Sequence, residues 1–268
     1  MAERMLQRRD APALRYWDDG GDKAPVMLIH GVGADGTSWE EIAADLALSF
    51  RVLRLDLRGH GRSGHIEGAL TLDDFVDDVL DVLDACAVAD ADIVGFSLGG
   101  MIAQGIALRH PARVRRLVLL SAVAGRTAEE RERVQARLTI LREQGIGAIT
   151  AAAQERWFTA GFIARHPEVV ESRMRQLLEN HAPSYAEAYT VFSTSDLGDR
   201  LRGIRAPTLV VTGEHDVGSN TRMARFMHAQ IAGSWLEILP GLRHSILVEA
   251  PGLVAKLVRD FLGEVPSA

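Results

Sequence analysis

Short apolar runs recur along the chain: VMLI at 26–29, RVLRLD at 51–56, DIVG at 92–95, RLVLLS at 116–121, TLVVTG at 208–213 and WLEIL at 235–239. Runs of this kind, apolar at successive positions, suit strands buried on both faces of a parallel sheet. Between most of them lie amphipathic stretches of helical length, at 38–49, 71–86, 98–109, 220–232 and 252–262. The alternation of strand and helix at both ends of the chain predicts a doubly wound α/β sheet. The N-terminal MLQRRDAPALRYWDDGGD alternates less cleanly. With its Asp-Gly-Gly-Asp turn it predicts an antiparallel hairpin at the sheet edge.

The rhythm stops between Arg126 and Arg205, where two long stretches have helical spacing and no strand separates them. A helical block inside a β/α alternation reads as an excursion from the sheet, suited to a lid over the carboxyl ends of the strands. The expected organisation is a core of residues 1–125 and 206–268 with a helical cap inserted at 126–205.

With 268 residues, 47% of them apolar, the chain can bury one large core with an insertion. Its net charge of −6 is spread along the whole chain, without a basic block able to neutralise a phosphate backbone. Nucleic acid is therefore not an expected partner. No apolar run approaches the roughly 18 residues needed to cross a bilayer, so no membrane association is expected. The opening MAERMLQRRDAP lacks the apolar stretch of a secretion signal, which makes the cytoplasm the expected location. The single cysteine, Cys86, falls in FVDDVLDVLDACAV and reads as a core-facing helix position.

Candidate chemistry centres on GFSLGG, which puts Ser97 between the run DIVG and a helix of small residues. A serine on a strand-to-helix turn has a strained backbone and an outstanding side chain, and bulk two residues before or after it would collide with the adjoining elements. Gly95 and Gly99 meet that demand. The helix N-terminus directs N–H groups and a positive dipole end toward the serine. A serine hydroxyl needs a base, and the base needs a carboxylate to hold its tautomer. His244, after the last predicted strand, and Asp216, directly after TLVVTG, complete the order Ser, acid, His. The loop HGVGADG supplies an oxyanion donor at the Val32 amide, and Leu98 a second. His30 reads as structural. DLRGHGRSG lacks the Lys-Ser/Thr ending of a phosphate loop and reads as a rigid turn beside the crevice. GEHD has no ligand spacing around it, so no metal is expected, and the chemistry calls for no cofactor.

Taken together, HGVG, DLRGHGRS, GFSLGG, PTLVVTGEHD and RHSILVEAP resemble the α/β-hydrolase superfamily over nearly the whole chain. Within it, GFSLGGMIAQGIALRHPARVRRLVLLS and ERWFTAGFIARHPEVVESR are similar to bacterial 3-oxoadipate enol-lactonases and related carboxylesterases. The chain departs from many enol-lactonases in having Val217, not proline, after Asp216. The resemblance implies an α/β-hydrolase fold, a mostly parallel central sheet flanked by helices with an inserted helical cap. It also implies hydrolysis of a small-molecule ester or lactone through an acyl-enzyme. Dehalogenases and epoxide hydrolases of the same fold carry aspartate where Ser97 stands, which disfavours those activities. For an anionic lactone, Arg156 beside Trp157 is the candidate for the substrate carboxylate. C–C or amide hydrolysis by the same residues and ligand binding without turnover are the alternatives, and homo-oligomerisation is left open.

Overall fold

The computed structural model describes residues 2–263. Eight strands form one sheet: β1 (Ala2–Leu6), β2 (Leu14–Asp18), β3 (Pro25–Ile29), β4 (Arg51–Leu55), β5 (Ala91–Phe96), β6 (Val114–Leu120), β7 (Thr208–Gly213) and β8 (Trp235–Leu239). Their spatial order is β1-β2-β4-β3-β5-β6-β7-β8. The β1–β2 and β2–β4 pairs are antiparallel, and every later pair is parallel. The six runs read from the sequence are the six strands β3 to β8. The hairpin also forms at the sheet edge, but its connection is residues 7–13. The Asp-Gly-Gly-Asp segment follows β2 instead and turns the chain toward β3, with Gly20 and Gly21 at φ of 67° and 84°. Glycine tolerates such values wherever a turn is needed, so the tetrapeptide identifies a turn without saying which strands it joins.

Strand residues alternate between two cores because successive side chains leave opposite faces of a pleated strand. Val26, Leu28, Val118, Leu120, Leu209 and Val211 enter one cluster, while Met27, Ile29, Leu117, Leu119 and Val210 enter the other. The first face is covered by α1 (Glu40–Leu46) and α11 (Pro251–Gly263), which pack on each other, and the second by α2 (Leu72–Ala85), α3 (Leu98–Arg109) and α9 (Thr221–Gln230). Covering on both faces explains why the strands read as continuous apolar runs. Cys86, just past α2, is buried in the second cluster, and burial pushes its thiol up to about 11.

From β3 the chain crosses to β4 on one side and then returns to β5 on the other. The carboxyl ends of β3 and β5 therefore flank a point where the connections diverge, the place where open α/β sheets form a crevice. Between β6 and β7 lie α4 (Ala128–Gln144), α5 (Gly147–Trp157), α6 (Ala160–Arg165), α7 (Pro167–Leu178) and α8 (Ala182–Thr194), with no strand among them; α10 (Ile246–Glu249) follows β8. No helix among the described residues is long and apolar enough to cross a membrane.

Helix α4 starts with a capping box formed by Thr127 and Glu130. Glu130 also accepts hydrogen bonds from Asn220 (2.7 Å) and Arg222 (Nε, 3.1 Å), tying α4 to the start of α9. Burial works against its charge, but Arg222, the Thr127 N–H and Asn220 outweigh that effect and bring the carboxyl down to about 2. A lowered carboxyl stabilises the fold above its unfolded value, and that contribution disappears as pH falls through the folded one. Glu130→Gln should therefore lower the thermal midpoint by a few degrees near neutral pH, with the deficit shrinking as pH drops through 4.5 toward about 2. A deficit that stays constant over that range in paired melts would refute this role.

Candidate active site

Ser97 sits between β5 and α3 with φ 55° and ψ −115°, a left-handed backbone that an L residue adopts only when its surroundings impose it. Its N–H donates to the Leu120 carbonyl on β6 (2.9 Å), which ties the turn to the sheet. A Cβ at position 95 would run into the Gly99 carbonyl, and one at position 99 into the Ile29 carbonyl at the end of β3. The two glycines let α3 start directly against the sheet with the serine at the apex.

Asp216 follows β7 and is nearly fully buried. Its Oδ2 lies 2.7 Å from Nδ1 of His244, and its Oδ1 accepts the N–H groups of Gly218 (2.8 Å) and Ser219 (2.9 Å). Burial opposes the carboxylate, but the His244 charge and these hydrogen bonds prevail and hold its pKa below the usual aspartate value. An ionised Asp216 accepts from Nδ1–H, so it selects the His244 tautomer whose Nε2 carries a lone pair. The histidine loop is clamped to the insertion: the Ser245 N–H donates to the Trp157 carbonyl (2.9 Å), and Arg243 donates to the Glu155 carbonyl. The Phe96 ring packs against the imidazole at a centroid distance of 5.0 Å.

One cavity joins these groups. Val32, Ser97, Arg156, Trp157, Asp216 and His244 all line it, so six of the residues singled out from the sequence meet at one place. The seventh, Leu98, buries its side chain in the core and contributes the first N–H of α3. Among the described residues, no hydrogen bond joins the Ser97 hydroxyl to His244, and neither the Val32 nor the Leu98 N–H has an acceptor. Such contacts commonly tighten only when substrate is bound. Two undirected N–H groups beside a serine can receive the oxygen of a carbonyl under attack.

His30 has the structural role expected of it. Its Nε2 accepts the Leu57 N–H (2.9 Å), which leaves the proton on Nδ1 to donate to the Gly31 carbonyl (2.7 Å). Burial lowers its pKa to about 4, so the ring is neutral and bridges the two glycine-rich loops. The turn at 56–64 is organised by buried Asp56, which accepts from the N–H groups of Gly36 and Arg62 (both 2.8 Å).

The pattern of the alpha/beta hydrolase family matches residues 26–257. The chain belongs to that family. It is 31% identical to 3-oxoadipate enol-lactonase 2 of Acinetobacter baylyi over 89% of each chain. It is 28% identical to the (E)-2-((N-methylformamido)methylene)succinate hydrolase of the same organism, over 99% of this chain and 100% of the relative. The crystal structure of the enol-lactonase from Burkholderia xenovorans LB400 superimposes with a TM-score of 0.90 at 31% identity, covering 95% of this chain and 98% of the other. These matches support hydrolysis as the activity of this α/β-hydrolase.

Sequence reading did not single out several residues that line the hydrolase's cavity. Arg137 comes from α4, Arg173 from α7, and Tyr185, Tyr189 and Phe192 from α8. The aromatic trio was visible as a stripe at spacings of four and three, but such a stripe is ordinary for any buried helix face. Nothing local distinguishes Arg137 and Arg173 from the other arginines of α4 and α7.

Proposed function

We propose that the hydrolase cleaves a small carboxylic ester or lactone through an acyl-enzyme on Ser97. The Ser97 Oγ attacks the carbonyl carbon as His244 Nε2 takes its proton, and the Val32 and Leu98 N–H groups hold the resulting oxyanion. Collapse breaks the bond to the leaving oxygen, which receives the proton from His244. Water, deprotonated by His244, then attacks the acyl carbon and releases the acid and Ser97. Helices α4 to α8 act as the cap that shapes the acyl and leaving-group pockets. Arg156 and Trp157, which line the same cavity as Ser97, are the proposed contacts for a substrate carboxylate.

The observation that carries this reading is the 2.7 Å Asp216–His244 bond, with the other Asp216 oxygen taken by two backbone N–H groups. A carboxylate fixed in this way has one task left, orienting the imidazole. The relative named for an N-methylformamido succinate favours one second reading, the same residues acting on an amide carbonyl. A fluorophosphonate probe should label Ser97 covalently, and a short p-nitrophenyl ester should be turned over. A properly folded protein that resists the probe and leaves the ester intact would be a ligand-binding member of the fold instead.

A further inference from the structure

The protein is acidic overall, with a net charge of −6, yet its central cavity is lined by Arg137, Arg156 and Arg173. The acid lining it, Asp216, is committed to His244. Among the described residues, neither Arg156 nor Arg173 has a carboxylate within ion-pair distance, and none of the three arginines stacks on an aromatic ring. Arg137 is held through Nε by the Tyr189 hydroxyl (3.0 Å), and Arg173 donates to the Gln176 side chain. Asp35, the acid whose charge reaches Arg173, accepts from the Thr37 N–H (2.8 Å) and from the Gln176 side chain, so it meets Arg173 through Gln176 and not by a direct ion pair. A partly buried cation with no carboxylate in direct contact is costly to keep; burial lowers the pKa of both Arg156 and Arg173, and for Arg173 the more distant Asp35 offsets only part of that. A bound anion would relieve that cost.

The cations form two groups. Arg137 and Arg156 belong to the wall shared with a neighbouring cleft lined by Arg126, Glu130 and Val217. Arg173 belongs to a different wall, shared with a cleft lined by Asp35, Thr37 and Gln176. The electrostatic neighbours follow the same division: Arg156 interacts with Arg137, Tyr185 and Tyr189, and Arg173 with Asp35. Ser97 and His244 line the same cavity as both groups.

We infer that Arg173 is a second anion subsite, separate from Arg137 and Arg156, and that the substrates are small esters or lactones bearing two free carboxylates. This inference rests on the ester or lactone reading of the site, and deepens it. Each guanidinium group would meet one carboxylate through charge-assisted hydrogen bonds, fixing the scissile carbonyl over Ser97 from two anchors.

Calorimetric binding to the Ser97→Ala protein tests the subsite without any need for turnover. Succinate, glutarate and adipate are each compared with their own monomethyl ester. At least one diacid should bind about tenfold to a hundredfold more tightly than its monoester, the scale of one charge-assisted contact. Adding Arg173→Gln should abolish that ratio, weakening the diacid more than the monoester. Arg156→Gln should weaken diacid and monoester alike. Arg173→Lys keeps the charge and should preserve part of the ratio, which covers the case of a glutamine variant that folds poorly. Equal affinities for every diacid and monoester pair would overturn the inference, as would an Arg173→Gln variant that weakens both members equally. A diacid preference in a protein that hydrolyses no ester would remove the proposed reaction and leave the subsite standing. Ester turnover without that preference would do the reverse.

Discussion

Replacing Ser97 by Ala should lower kcat for a short p-nitrophenyl ester by about ten-thousandfold to a millionfold, with the thermal midpoint nearly unchanged. In the proposed sequence the hydroxyl oxygen is the protein atom that bonds to the carbonyl carbon, and neither Val32, Leu98 nor His244 can replace it. What remains is the weaker acceleration by oxyanion donors and binding alone. The turn itself should persist, because it is held by the Ser97 N–H bond to Leu120 and by the close approach permitted at Gly95 and Gly99, none of which uses the hydroxyl. Steady-state kinetics and a melt on the same preparation check both halves. Retention of more than about a hundredth of the wild-type kcat by the alanine variant would rule out Ser97 as the nucleophile.

Asp216→Asn should be nearly as damaging, lowering kcat by about ten-thousandfold with little change in KM. That magnitude is the one known for the equivalent change in a serine protease triad. The reason for expecting it here lies in which oxygen is already occupied. Oδ1 accepts from the Gly218 and Ser219 N–H groups, so an asparagine must place its carbonyl oxygen there. Its NH2 then faces Nδ1 of His244, where it can only donate. The imidazole is driven to the tautomer with hydrogen on Nε2, which cannot accept the Ser97 proton. Flipping the amide to restore the tautomer would set the NH2 against two N–H donors in a buried site. A variant whose kcat stays within tenfold of wild type, with its melt intact, would show that His244 does not depend on Asp216.

Much of the fold was legible because its cause is local. Strands β3 to β8 are buried on both sides, and that burial appears in the sequence as uninterrupted runs of Val, Leu and Ile. The serine turn was legible for a similar reason, since the steric demand at positions 95 and 99 admits glycine alone and marks the chain directly. The edge hairpin was only half readable. The Asp-Gly-Gly-Asp turn was evident, but whether it closed β1 on β2 or led on to β3 depended on strand pairing far beyond the turn.

The order of Ser97, Asp216 and His244 along the chain, together with the glycines that leave room for the turn, was determined by the sequence alone, because each requirement acts within a few residues of one strand end. Their convergence, the neutral His30 bridge between two glycine-rich loops, and the union of Arg137, Arg156 and Arg173 around one cavity were decided by tertiary structure. An arginine on an amphipathic helix carries the same local signature whether it faces water or a cavity. Only the packing of α4, α5 and α7 over the carboxyl ends of the strands brings these three, partly buried, to the wall of one cavity.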